Sequence, residues 1–195
     1  NIPAGYIFPP YLTHERDEID LEVIKELEES KLNLWGNPPD LTWATTRTGA
    51  LRQLKYFIDN HLENFGTYED AMTDENWALH HSLLSPYLNN GLLHASEVID
   101  AVLKAHVKKK FPLASLEGFI RQVIGWREFI NGVYWFFEAE HRDSNFWKGK
   151  RKLPAFFEDP DATEMNCLKN VVGDIKERAW AHHIPRLMIL SNYAF

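Results

Sequence analysis

SLEGFIRQVIGWREFINGVYWFFEAE, residues 115–140, is the longest regular stretch of the chain. Its apolar residues Phe119, Val123, Trp126, Ile130, Val133 and Phe137 recur in steps of four and three. That spacing lines one face of an α-helix about seven turns long at ~3.6 residues per turn. The same periodicity appears upstream. Leu51, Leu54, Ile58, Leu62 and Phe65 predict a helix over 48–65, with Gly66 ending it as a left-handed residue past a C-terminus does. Ile99, Val102 and Leu103 predict another from a Ser96 cap to about Val107, with Lys108, Lys109 and Lys110 at its negative end and Pro112 closing it. No stretch alternates with period two, and no repeat or low-complexity tract interrupts the pattern. The fold class expected is all-α.

Around these helices lie less regular segments. Pro3, Pro9 and Pro10 mark an extended entry, and Glu15–Glu29 reads as a short acidic amphipathic helix with a solvated face. Asn37-Pro38-Pro39-Asp40 reads as a turn. Residues 1–47 are expected to be a connecting segment and 48–195 one helical domain. Trp77 to Leu88 reads as a short helix stopped by Asn89-Asn90-Gly91, and Pro154 to Pro160 as a loop. The end of the chain, MNCLKNVVGDIKERAWAHHIPRLMILSNYAF over 165–195, reads as one long helix. Asp161 and Glu164 form its expected capping box, and Pro185 is expected to end or kink it near His182.

Composition narrows the function classes. The chain of 195 residues is 45% hydrophobic and 25% charged, with a formal net charge of −7. That balance does not mark a general nucleic-acid binder, although a local basic patch such as Arg142–Lys152 would suffice. One cysteine excludes an internal disulfide, and no apolar run approaches the ~20 residues of a membrane span. No signal peptide is visible, so the expected location is cytoplasmic, with no membrane association and a monomeric state. The chain opens at Asn1 and stops inside an apolar pattern at Phe195, as a fragment does.

Several residues could carry chemistry. Cys167 falls in the first turns of its helix, where the dipole stabilises thiolate, a ligand for iron or zinc. Alone it cannot hold a metal, and a buried inert thiol is the plainer account. His182 and His183 are adjacent and point about 100° apart on a helix. Either could act as a general acid near neutral pH, or both could be ordinary core or surface histidines. Ser82 and Ser85 place two hydroxyls three apart at a helix mouth, suited to phosphate oxygens or to a simple turn. On the long helix Gln122, Trp126 and Arg127 offer an amide, a planar ring and a guanidinium.

Taken together, three motifs resemble the helical flavin-binding domain of the photolyase/cryptochrome superfamily. HSLLSPYLNNGLL (81–93) resembles its TSxLSPYLxxGxL motif, FIRQVIGWREFINGVYW (119–135) its WREF helix, and AWAHHIPRLMILSNYAF (179–195) its WMHNRxRM helix. The MNC, AHH and GWREF forms resemble the prokaryotic iron–sulfur branch, which contains bacterial (6-4) photolyases and related cryptochromes. Residues 1–47 contribute little to the resemblance.

The resemblance implies FAD held by Tyr68, by His81, Ser82, Leu83, Leu84 and Ser85, by Gln122, Trp126 and Arg127, and by His183 and Arg186. It implies Cys167 as one ligand of a 4Fe-4S cluster whose other ligands lie outside this chain, and an antenna chromophore in a preceding domain. His182 and His183 match a catalytic histidine pair at a lesion pocket, and damaged DNA is the implied partner. The implied reaction is light-driven repair of pyrimidine (6-4) pyrimidone lesions by an electron from reduced FAD. A blue-light photoreceptor without repair, or a flavin-less helical DNA- or partner-binding module, are the alternatives. Two departures stand out: His81 replaces a threonine, and Phe156-Phe157 stand where a tryptophan relay was expected.

Overall fold

The computed structural model describes residues 2–37 and 41–194, without the side chains of 138–140. It contains helices and turns and, among the described residues, no strand. The helices are α1 (Glu18–Glu29), α2 (Arg47–Asn60), α3 (Leu62–Tyr68), α4 (Ser85–Asn89), α5 (Ala95–Lys109), α6 (Leu113–Arg121), α7 (Arg127–Arg142) and α8 (Asn166–Arg178). Two π-helical segments, Gln122–Trp126 and Pro185–Ser191, join α6 to α7 and follow α8. No helix among the described residues is long and apolar enough to cross a membrane.

The core forms where the apolar stripes of α2, α3, α5 and α6 meet. Phe57 and Phe119 pack with ring centroids 4.7 Å apart, and Phe65 meets Phe119 edge-on at 5.6 Å. Leu54, Leu62, Val98 and Val102 complete this cluster. A smaller one gathers Phe156, Leu168 and Val172 beneath α8. Each buried aliphatic or aromatic side chain contributes about 1.5–3 kcal/mol. By contrast α1, closed by an Asp17–Asp20 capping box, buries nothing, and its solvated reading stands.

Several expected boundaries are corrected. The helix over 48–65 is two helices, broken at His61, whose N–H still bonds the Phe57 carbonyl at 2.9 Å. Gly66 lies inside α3 and ends nothing; a Cβ there would stand 2.6 Å from the Ala114 carbonyl carbon, so glycine permits close packing. Of the expected 77–88 helix only the end from Ser85 is helical, in α4, because Asn76 Oδ1 accepts from the Ala78 and Leu79 N–H groups and holds the start in a turn. The cap of α5 is His94, not Ser96, with Glu97 reaching back to the His94 N–H. Pro154–Pro160 contains a 3₁₀ turn at Ala155–Phe157. Asp161 sits in another 3₁₀ turn, paired with Lys169 at 2.5 Å, and α8 starts later, with Met165 before its first turn.

The expected long final helix is also broken. Ala179 takes φ 54°, its N–H bonding the Ile175 carbonyl at 2.7 Å, so α8 stops at Arg178. An alanine in this left-handed conformation costs about 1 kcal/mol. The Trp43 indole N–H, 3.0 Å from the Arg178 carbonyl, satisfies the helix end and offsets that cost. Pro185 therefore begins the next segment and kinks nothing. The long helix over 115–140 is continuous from α6 to α7 but carries a π bulge at Gln122–Trp126. Its stripe is buried only as far as Val123; Trp126 is 60% exposed and Ile130 58%. The Asn37–Asp40 turn falls largely outside the described residues.

Gly66→Ala reverses the usual helix rule. Alanine ordinarily gains about 1 kcal/mol over glycine inside a helix. Here the obstructing atoms are backbone, so the variant is expected to lose about 1–3 kcal/mol. Thermal denaturation checks this; an unchanged or raised Tm contradicts it.

Candidate functional site

The three stretches singled out in the sequence converge on one cavity of about 560 Å³. The first wall is the loop into α4. Leu79 and Leu83 both adopt left-handed backbone, with φ 51° and 57°. The conformation is held from behind: buried Gln53 donates to the Ser82 carbonyl at 3.1 Å. His81, Ser82 and Ser85 line the cavity, with Leu83 and Leu84 beside them. The second wall is the α6–α7 junction, where Gln122, Trp126 and Arg127 line the same space. The π bulge sits here, as such bulges often do at functional sites. Trp180, His182, His183 and Arg186 form the third wall after the Ala179 break.

Two candidates lie elsewhere. Tyr68 is buried against His80, ring centroids 5.4 Å apart and nearly parallel, and Tyr6 packs against both, 4.9 Å from Tyr68 and 5.9 Å from His80. Cys167 is exposed in the first turn of α8 and borders a second cavity of about 920 Å³ that also reaches His182.

Partners that sequence reasoning missed hold the walls in place. Gln122 donates to Glu69 at 2.6 Å, and His183 Nε2 lies 3.0 Å from Asp70 Oδ1. A carboxylate only accepts, so His183 carries its proton on Nε2. Burial, then the neighbouring Asp70, pushes the Glu69 carboxyl up. Neither acid belongs to a recognisable spacing with its partner; only the fold joins them. His81, read in sequence as a lost hydroxyl, instead stacks its imidazole on His182 with centroids 4.6 Å apart. Trp180 donates to Ser85 Oγ at 3.3 Å, and behind it Trp77 at 5.3 Å and then Trp43 at 6.4 Å form a row of indoles. Arg178 lies over Trp77 at 5.2 Å.

Desolvated histidines cluster in and behind the cavity. His182 is 5% exposed, and burial, then His183 and Arg186, lowers its pKa to about 4. Burial holds His80 at about 4, and burial with His80 nearby does the same for His61. His81 is pushed well below its ordinary value, first by burial and then by His182 and His183. The cavity therefore offers neutral imidazoles, hydroxyls, an amide and a guanidinium around an apolar floor of Leu84, Phe119 and Val123. Its size suits a large planar organic ligand bearing polar groups.

Comparison with known proteins gives two relatives. A (6-4) photolyase of Agrobacterium fabrum is 44% identical over 192 residues, which is 98% of this chain. The chain spans 36% of that protein's length. An uncharacterised protein of Acanthamoeba polyphaga mimivirus is 34% identical over 87 residues, 44% of this chain and 66% of the relative. No family model matches. The first alignment leaves out three residues (195 minus 192), so the similarity extends through most of 1–47, beyond the motifs.

The buried histidines set a pH dependence of stability. Unfolded histidine titrates near pH 6.5, whereas His61, His80 and His182 resist protonation to about 4. Between those values the unfolded chain binds more protons, so stability is full above about 6.5 and falls as pH drops towards 4. The unfolding free energy from urea titrations should fall through this window by up to about 1.4 kcal/mol per pH unit for each such histidine, and the urea midpoint with it. A midpoint that stays level or rises as pH drops contradicts the desolvated cluster.

Proposed function

The chain belongs to the photolyase family, and we propose that it forms the flavin-binding core of an enzyme that reverses (6-4) pyrimidine lesions in DNA under blue light. The observation that carries this reading is the convergence of the three motifs on one cavity. The family implies FAD, and the donor set supports it: Ser82, Ser85 and Arg127 suit phosphate oxygens, while Gln122 and Trp126 suit a planar polar ring. When bound and reduced, flavin would supply the photoexcited electron.

The chain's own residues have separable roles. His182, held neutral by burial, is suited to orient the lesion by hydrogen bonding. His183 lines the cavity and, when doubly protonated with its Nε2–H held by Asp70 at 3.0 Å, is the better placed to deliver its Nδ1 proton to the transferred hydroxyl. Trp180, Trp77 and Trp43 offer an oxidisable row behind the cavity where Phe156-Phe157 do not. The exposed run Arg142, Lys148, Lys150, Arg151 and Lys152 is suited to DNA phosphates despite the net charge of −7. Flipping a damaged base out of the duplex costs a few kcal/mol, less than for an intact one. Cys167, exposed on α8, is the proposed ligand of a 4Fe-4S cluster completed by residues outside this chain, and a preceding domain would hold the antenna chromophore.

Blue-light repair of (6-4) DNA by the complete protein tests the reading. His183→Ala should lower the rate about 10²-fold or more with FAD retained, and His182→Ala should also lower it. Unchanged rates in both variants remove the pair from the mechanism. A wild-type protein that holds FAD yet leaves the lesion intact under light would point to a photoreceptor.

A further inference from the structure

We propose that His81, His182 and His183 form a binding site for a divalent cation of the zinc class. The three come from two separate stretches, and one ligand atom from each lies within 4.8 Å of the others. His81 Nε2 and His182 Nδ1 are buried and have no hydrogen-bond partner. A buried ring nitrogen without a partner is costly, and one ion held between the two rings would satisfy both.

On His81 and His183 the other ring nitrogen is engaged, which leaves one lone pair on each of those two rings. His81 interacts with the Glu69 carbonyl, and since Nε2 is unpartnered this contact falls to Nδ1–H. His183 gives Nε2–H to Asp70, leaving Nδ1 free to coordinate. A carboxylate or carbonyl on the far nitrogen is the usual support of a metal-bound histidine.

Ligand chemistry selects the ion. Three imidazoles and no carboxylate suit zinc, cobalt, nickel or copper and disfavour magnesium and calcium. Metal–nitrogen distances of about 2.0–2.1 Å require the three nitrogens to draw together and the stacked His81 and His182 rings to turn so that their in-plane lone pairs converge. The cavity side leaves a fourth position for water. A bound ion occupies lone pairs of both His182 and His183, so it acts as a brake on chemistry that uses them. That consequence rests on the repair reading, whereas the binding does not.

Cobalt(II) titration of the complete protein tests the binding, read by the visible absorption of tetrahedral cobalt in difference spectra. One cobalt per chain is expected, displaced by zinc and not by magnesium. His81→Gln, His182→Ala and His183→Ala should each weaken it at least tenfold. Asp70→Asn, at an exposed position, should weaken it about tenfold through His183 alone without a change in Tm. An absent tetrahedral band overturns the proposal. A band equally strong in His183→Ala and Asp70→Asn, both with wild-type Tm, overturns it too. Repair activity in the same preparations is read separately, so loss of the site and loss of the repair reading are distinguishable.

Discussion

The close approach of α3 to α6 positions most of what surrounds the cavity. Gly66 lets the α6 backbone come within a distance that any Cβ would forbid. Ser115, buried at the contact, then accepts from the Gly66 N–H at 3.0 Å and donates to the Glu63 carbonyl at 2.7 Å. One turn further along α6, Gly118 leaves room for Glu69; a Cβ there would stand 2.8 Å from Glu69 Oε2. A turn beyond that, Gln122 bonds Glu69 and faces the cavity. Asp70, next in sequence, reaches His183 on the opposite wall. Two glycines and one serine on two helices thus set the spacing of groups whose chemistry lies several residues away.

Polar groups in the cavity are held by exchange of partners between walls. Trp180 of the third wall bonds Ser85 of the first, His183 bonds Asp70 beyond α3, and His81 stacks on His182. The left-handed turn at Ala179 makes this possible. A helix continued through 179–186 would carry the two histidines on along the axis of α8. Instead the chain turns out after Arg178, and both rings enter the cavity. The cost of that backbone and of the desolvated imidazoles is met by the aromatic core beneath, where Phe57, Phe65 and Phe119 interlock.

Helix type was legible in the sequence, because periods of three and four recur in 48–65, 96–107 and 115–140. Helix ends were not. Neither His61 nor Ala179 is a residue that usually breaks helices, and the Ala179 break is supported by a tertiary contact, Trp43 with the Arg178 carbonyl. Gly66 has the same letter whether it caps a helix or admits a neighbour, and only the packing distinguishes the two. Apolar periodicity also overstated burial: the stripe through Trp126 and Ile130 is regular yet exposed. Among candidate site residues, those within the motifs gather at the cavity, because each motif is a short stretch whose backbone faces it. Tyr68, carried by a single-residue match, lies in a separate aromatic cluster with Tyr6 and His80. Asp70, Glu69 and Gln53 were invisible, since a partner fifty or more residues away, or one reached through a backbone carbonyl, leaves no local signature.

The central claim is that this cavity holds a flavin, and the visible spectrum of the complete protein tests it most directly. Purified protein should show flavin bands corresponding to about one FAD per chain. Ser85→Phe, an exposed position at the cavity wall, should abolish most of that absorption while leaving the Tm near wild type. A colourless wild-type protein that takes up no added FAD, or full flavin content in Ser85→Phe, would contradict the claim.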